Sequence, residues 1–201
     1  MPVTLSKREV EALLEKIDPR YRLVAGLLYG CGLRLRECVE LRVQCVNLDA
    51  MLLTVHAGKG HKDRTVPLPQ KLGEALAGQI DAVRRRHQED IHAGFAGTFL
   101  PKQLENKYKN AAREFVWQWL FPAATLTNVA AGDGRGEKRR FHIHDSHVQA
   151  AVKRAAEVAG ITKRVTPHIL RHTFASHLRP AGYDLPTIQK LPGHTGISGR
   201  R

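Results

Sequence analysis

Apolar residues recur at helical spacing from the start of the chain. Ser6, followed three residues later by Glu9, has the pattern of a capping box, and Val10, Leu13, Leu14 and Ile17 follow at i, i+3, i+4 and i+7. Asp18-Pro19 restarts a second helix with Leu23, Val24, Leu27 and Leu28 as its apolar face, and Tyr29-Gly30-Cys31-Gly32 gives a sharp exit. Arg34 to Arg42 predicts a short third helix. Residues 51–56 (MLLTVH) and 64–68 (RTVPL) predict two strands joined by AGKGHKD, a hairpin with two loop glycines. Gln70 to about Asp90 is helical, with Leu72, Leu76, Ile80 and Val83 on one side. Residues 91–103 read as loop, about Asn106 to Leu120 as a helix that stops before Pro122, and 123–141, with AGDGRGEKRR, as an exposed loop. Asp145 to Ala159 forms a helix on Val148, Val152, Ala155, Ala156 and Ala159, closed by Gly160. Thr166-Pro167 is an N-cap with a first-turn proline, opening a helix to about Arg179, and a last short helix is expected over Pro186 to Leu191. With no repeats and no linker, this is one mostly helical domain with a small antiparallel sheet, an α+β fold.

Composition narrows the partner. Among 201 residues, 32 Lys+Arg oppose 19 Asp+Glu, a formal net charge of +13, and the hydrophobic share of 42% is enough for a real core. Such an excess suits a polyanion, because each lysine or arginine that meets a phosphate releases counterions. Residues 134–172 alone hold nine lysines and arginines against three acids. Further charge sits at Arg34, in the hairpin of Lys59 and in Arg84-Arg85-Arg86. No apolar stretch reaches the roughly 18 residues of a membrane span, and MPVTLSKREV has neither an apolar h-region nor a cleavage site. Three cysteines, Cys31, Cys38 and Cys45, without an export signal argue for a reducing cytoplasmic compartment and buried thiols rather than disulfides.

The chemistry concentrates in T-P-H-I-L-R-H. His168 and Arg171 are three apart at a helix N-terminus, so they share a face, and the free N–H groups there favour an anion. Alone, this run reads equally as a solvated basic face. Three other places add to it. GCGLRLRE puts Arg34 just past a glycine turn, where a guanidinium can grip a phosphate with two N–H bonds. GKGHKDR puts Lys59 at a hairpin tip, and L-P-G-H leaves His194 beside a glycine.

Together these residues resemble the catalytic domain of the tyrosine recombinases, the phage-type integrases. That family's pattern is an arginine with an acid three residues on, a hairpin lysine, H-x-x-R, then G-H. Here the positions are Arg34 with Glu37, Lys59, His168 with Arg171, and Gly193-His194, in the right order. The resemblance implies phosphoryl transfer without metal or high-energy cofactor. Arg34 and Arg171 would neutralise the scissile phosphate, Lys59 would protonate the leaving 5′ oxygen, and His168 would assist proton movement at the attacking oxygen. His194 would hydrogen-bond a phosphate oxygen and Glu37 would orient Arg34 or His168. A tyrosine would attack to give a 3′-phosphotyrosyl link. The implied partner is DNA, with other integrase protomers as further partners, in a cytoplasmic protein that joins the nucleoid when bound. Lys62, Arg64, Arg139, Arg140, Lys153 and Arg154 join Arg34, Lys59 and Arg171 as expected DNA contacts.

A finer likeness points to integron integrases. LENKYKNAAREFVWQWLFP, Leu104 to Pro122, followed by a basic loop and R-R-F-H-I-H-D, resembles their additional segment, which places an insertion at about 91–145. By that analogy Trp117, Trp119 or His142 would contact an extruded base of a folded single-stranded site. Two tryptophans two apart cannot share a helix face, so one of them at most meets DNA. The other reading is that both anchor the insertion.

The pattern also breaks. The family's nucleophilic tyrosine follows G-H, whereas only TGISGRR follows His194, and Tyr21, Tyr29, Tyr108 and Tyr183 lie upstream. Pro180 falls in or at the end of the H-x-x-R helix, and Pro192 takes the second leucine position of L-L-G-H. The expectation is an incomplete catalytic domain over 1–201, without the family's N-terminal core-binding domain and with its C-terminal end missing. It binds DNA and forms no covalent adduct alone. A non-catalytic DNA-binding remnant or interaction module is the alternative. A remoter one is a zinc hydrolase, from His142, His144, Asp145 and His147 in H-I-H-D-S-H, although the aspartate stands one position early.

Overall fold

The computed structural model describes residues 3–56, 63–129 and 136–178. The first two helices begin where the caps predict. In α1 (Lys7–Lys16) the Ser6 hydroxyl accepts from the Glu9 N–H at 3.2 Å, and the Glu9 carboxylate accepts from the Ser6 N–H at 2.6 Å. In α2 (Pro19–Gly30) the Asp18 carboxylate accepts from the Arg20 N–H at 2.9 Å. A short α3 (Leu35–Val39) follows, then the antiparallel sheet β1 (Val46–Asn47), β2 (Leu52–Val55) and β3 (Arg64–Pro67), with Leu53 opposite Val66. Next come α4 (Gly73–His92) and α5 (Lys102–Lys107), a second antiparallel pair β4 (Pro122–Val129) and β5 (Glu137–His142), α6 (Asp145–Val158) and α7 (Pro167–Leu178).

One core joins these elements. Leu13 of α1, Val24, Leu27 and Leu28 of α2, Leu53, Leu76, Val148 and Val152 of α6 and Leu170 of α7 are fully buried. All three cysteines are buried in or beside it and unpaired, and burial pushes the Cys31 thiol up to about 12. Gly160, at φ +67°, closes α6 as its position predicts. The Thr166 hydroxyl accepts from the Ile169 N–H at 3.3 Å at the start of α7. Among the described residues no helix is long and apolar enough to cross a membrane.

Residues 106–141 depart from the sequence reading twice. The expected helix over 106–120 is absent; α5 ends at Lys107, and two single 3-10 turns, Ala111–Arg113 and Phe115–Trp117, take its place. The reason is where the backbone bonds go. Beyond the local bonds of those two turns, Gln118 O accepts from the Val43 N–H at 3.0 Å and the Leu120 N–H donates to Leu41 O at 2.8 Å, so the end of this segment pairs with the core instead of continuing a helix. The expected loop over 123–141 is instead the β4–β5 pair, with Leu126 opposite Arg140 and Asn128 opposite Lys138, and only 130–135 lies outside the described residues. Thr125, Leu126, Thr127 and Val129 are the β-prone signal that the glycine-rich break hid. The expected helix over Pro186 to Leu191 lies outside the described residues, as do Pro180, Tyr183 and Pro192.

Candidate functional site

Glu37 is the hub of the site. Its position in the first turn of α3 lets Oε2 reach back to the Arg34 N–H at 2.8 Å, while Oε1 accepts from Arg34 Nη1 at 2.9 Å. Arg64, at the start of β3, closes on the same carboxylate as a fork, Nη1 to Oε1 at 2.9 Å and Nη2 to Oε2 at 2.6 Å. Arg171 of α7 brings Nη1 to 3.8 Å from Glu37 Oε2. Three guanidiniums from three separate elements thus surround one carboxylate and leave an excess of positive charge. Burial works to raise the Glu37 pKa, but the Arg64 fork and the bonds from Arg34 outweigh it and hold the carboxyl at about 2.

A left-handed glycine places the second arginine. Gly32 has φ +61°, and its carbonyl accepts from Arg171 Nη1. A side chain at Gly32 would collide with Phe174 of α7, so α2 and α7 approach closely only because this residue has none. Two more bonds fix α7. Tyr29 Oη meets His177 Nδ1 at 2.9 Å, and the Leu5 N–H donates to the buried Thr173 hydroxyl at 3.1 Å.

Arg34, His168 and Arg171 line one cavity of about 1150 Å³ between the start of α3, α6 and the turn before α7. Lys153, Lys163 and Arg164 line it too, with Glu157 the one carboxylate among the described lining residues. Arg34 is 67% exposed, whereas Arg171 is 17% exposed, so one guanidinium meets solvent while bonded to Glu37 and the other is largely enclosed. His168 is exposed at the mouth, at the first turn of α7. The site therefore offers an anion two arginines, a helix N-terminus and a titratable ring from one side.

Of the expected site residues, Arg34, His168 and Arg171 share the cavity, and Glu37 stands beside the two arginines. Lys59, Lys62 and His194 lie outside the described residues. Lys153 and Arg154 are exposed on α6. Other expected DNA contacts sit differently. Arg64 is 15% exposed and bound to Glu37. Arg140 is buried on Asp90, and His142 is buried with Nδ1 donating to Ile143 O at 2.7 Å. Trp119 is buried beneath the Arg42 guanidinium, 3.7 Å from the ring centroid, and Trp117 is half-buried. In these positions Arg64, Arg140, His142 and Trp119 are internal ties, not faces open to DNA. Arg139 is half-buried, bonded to Glu105 and Glu137. His144 caps α6, its Nδ1 accepting from the Ser146 N–H, and among the described residues no three His, Cys, Asp or Glu converge as a metal site.

Sequence reasoning missed the Arg64–Glu37 fork. The signal was available: Arg64, Val66 and Leu68 share one face of a period-2 strand, and the latter two are buried.

A basic, mostly helical α+β domain with a groove lined by arginines and lysines is the class that this fold and site define. The phage integrase family model matches residues 4–199, and the chain belongs to that family. Over 198 residues it is 42% identical to an integrase/recombinase of Escherichia coli, covering 98% of this chain and 58% of that protein. Over 201 residues it is 33% identical to tyrosine recombinase XerA of Pyrococcus furiosus, covering 98% and 55%. Among solved structures, XerA recombinase matches with a TM-score of 0.64 at 26% identity, covering 98% of this chain and 57% of that one. XerH site-specific recombinase bound to its difH substrate matches in fold, with a TM-score of 0.61 at 20% identity, covering 98% and 48%. The chain spans little more than half the length of the curated relatives it matches.

Proposed function

We propose that this chain binds DNA and carries the phosphate-activating half of a site-specific recombination reaction. The observation that carries the reading is Arg34, His168 and Arg171 lining one groove around a charged Glu37. A scissile phosphate in that groove meets two guanidiniums, which stabilise the charge that grows on its non-bridging oxygens. A tyrosine oxygen attacks phosphorus, forming the phosphotyrosyl bond as the bond to the 5′ oxygen breaks. Lys59 gives its proton to that leaving oxygen, His168 takes the tyrosine proton, and His194 hydrogen-bonds a phosphate oxygen. The two arginines supply the charge neutralisation, so the proposed step needs no cofactor.

Lys153, Arg154 and Arg164 extend the basic face along the DNA backbone, and Lys59 and Lys62, outside the described residues, are proposed as further contacts. The β4–β5 pair and the segment before it are consistent with an integron-type insertion, whose substrate is a folded single strand. Within it Phe141 is 38% exposed, while Trp119 and His142 pack beneath it.

No tyrosine follows Gly193-His194 in these 201 residues. Of those upstream, Tyr29 is bonded to His177 and Tyr108 sits beyond α5. A second reading, supported by the groove having none of Tyr21, Tyr29 and Tyr108 among its lining residues, is a DNA-binding module that occupies recombination sites or pairs with intact protomers. A nicked suicide duplex separates the two. The polypeptide alone is expected to shift the duplex without a denaturation-resistant adduct. Adding a partner that supplies the tyrosine segment restores the adduct if the groove is a working half-site. A duplex that does not shift at all overturns the DNA-binding reading.

A further inference from the structure

We propose that Arg64 is a positioning residue of this site: its fork fixes the Glu37 carboxylate and so keeps Arg34 and Arg171 aimed into the groove, without itself touching phosphate. The inference rests on the phosphate-binding reading of the groove and adds to it a residue outside the Arg, Lys, H-x-x-R and G-H pattern.

The hydrogen-bond count carries the argument. An ionised carboxylate has about four lone-pair directions. Those of Glu37 are filled by the Arg34 N–H, Arg34 Nη1, Arg64 Nη1 and Arg64 Nη2, so Arg64 supplies half of them. Only Arg64 presents a bidentate fork, and a fork sets the plane of the carboxylate as well as its position. Arg64 is 15% exposed, its Nε–H is buried with no acceptor, and it stands on the strand face of the buried Val66 and Leu68. It is therefore a rigid arm of the sheet, and through it β3 is locked to the first turn of α3.

Without that arm the site would reorganise in a definite direction. Arg171 Nη1 stands at 3.8 Å from Glu37 Oε2, outside hydrogen-bond range; it donates to Gly32 O instead, and that oxygen is already filled by the Arg34 N–H and Arg64 Nη2. Freed of Arg64, Glu37 would take Arg171 as its partner, and the guanidinium that should meet the phosphate would be neutralised inside the protein. The groups facing Glu37 are Arg34 ahead of α3, Arg64 on β3, Arg171 on α7 and the buried Cys38 thiol behind it. Lysine cannot replace the fork, since an ammonium is a single point donor.

The test pairs a DNA readout with one that needs no DNA. Arg64→Met, Arg64→Lys, Glu37→Gln and the Arg64→Met/Glu37→Gln double variant are compared with the parent. Binding of a duplex oligonucleotide is measured at fixed salt, and the Glu37 carboxyl is titrated by carbon NMR; thermal unfolding establishes that each variant is folded. Arg64→Met is expected to weaken binding roughly tenfold when Glu37 is intact and to have little further effect when Glu37→Gln is already present. It should also raise the Glu37 pKa, with Arg64→Lys intermediate. An equal loss with and without Glu37→Gln means that Arg64 meets DNA directly, and an unmoved Glu37 titration means that it does not hold the carboxylate; either result overturns the proposal. A parent that binds no DNA but whose Glu37 titration responds to Arg64 leaves the positioning role standing and overturns the phosphate reading instead.

Discussion

Asp90 and Arg140 meet in a buried, two-pronged ion pair that bolts the β4–β5 pair to α4. Arg140 Nη2 stands 2.6 Å from Asp90 Oδ1 and Nε donates to Oδ2, while Nη1 donates to Ala123 O at 2.7 Å and Ala124 O at 3.0 Å. Removing the carboxylate leaves a buried guanidinium short of its counter-charge. Asp90→Leu is therefore expected to cost about 3–5 kcal/mol, and Asp90→Leu with Arg140→Leu clearly less. Urea unfolding of the two variants checks this; equal losses would mean that the pair contributes only shape.

Arg42 ties down the segment ahead of β4 in the same way. Its guanidinium donates to Phe99 O at 2.8 Å and to Trp117 O, and lies 3.7 Å from the Trp119 ring centroid. Burial pulls its pKa down to about 10, still far above neutrality, so it is charged where it sits. Lysine keeps the charge but reaches one carbonyl at a time. Arg42→Lys is expected to lose about 2 kcal/mol and to shift tryptophan emission to the red as Trp119 gains water. An unchanged emission spectrum would place the anchoring elsewhere.

These two ties mark where sequence reading works and where it stops. Caps and apolar spacing placed α1, α2, α4, α6 and α7 because those signals are local: Ser6 with Glu9, Asp18-Pro19, Thr166-Pro167 and Gly160 each act within one turn. The order of Arg34, Glu37, His168 and Arg171 was likewise legible, and the structure brings them together around one groove. The segment from about residue 106 to 142 was not legible. Residues 111–120 look helical by composition, but Gln118 and Leu120 take backbone partners at Val43 and Leu41, some seventy to eighty positions away, and no local signal encodes that. For the basic residues, charge alone suggested DNA, whereas strand alternation decides which way they point: Arg140 and His142 share the inner face of β5 and Phe141 the outer. A basic residue in register with buried neighbours is a structural tie more often than its charge suggests.

Gly32 sets how close the α2 exit lies to α7. Alanine there must hold φ near +61° and also displace Phe174. Gly32→Ala should cost about 2–4 kcal/mol, part from the left-handed backbone and part from the collision. Adding Phe174→Ala should recover the collision part relative to Phe174→Ala alone, and leave the backbone part. Thermal unfolding of the three variants gives the split, and no recovery at all would show that the backbone conformation carries the whole cost.

Acid should loosen the site through Glu37. Its folded pKa is about 2, below the ordinary value of 4.5. A depressed acid stabilises the fold above its unfolded pKa and loses that contribution as pH falls through the folded value. The loss attributable to Glu37 thus runs from near pH 5 down to about pH 2. Asp18 and Glu9 also have lowered values and add to the same limb. Comparing urea midpoints across that range, Glu37→Gln should fall less steeply with acid than the parent, although it starts lower. Parallel curves would mean that Glu37 is not held ionised by its arginines.

Salt dependence separates lysines and arginines that meet DNA from those that hold the protein together. Lys153 is 77% exposed on the groove side of α6, and its nearest carboxylate, Glu157, stands 3.9 Å away. Arg139 is 18% exposed and bonded to both Glu105 and Glu137. A residue that neutralises a phosphate contributes about one unit to the slope of log affinity against log salt, and one already paired inside the protein contributes little. Lys153→Ala should therefore flatten the slope by about one unit, and Arg139→Ala by much less while lowering stability. The reverse ranking in a salt titration would move the DNA path off the α6 groove and onto the β4–β5 pair.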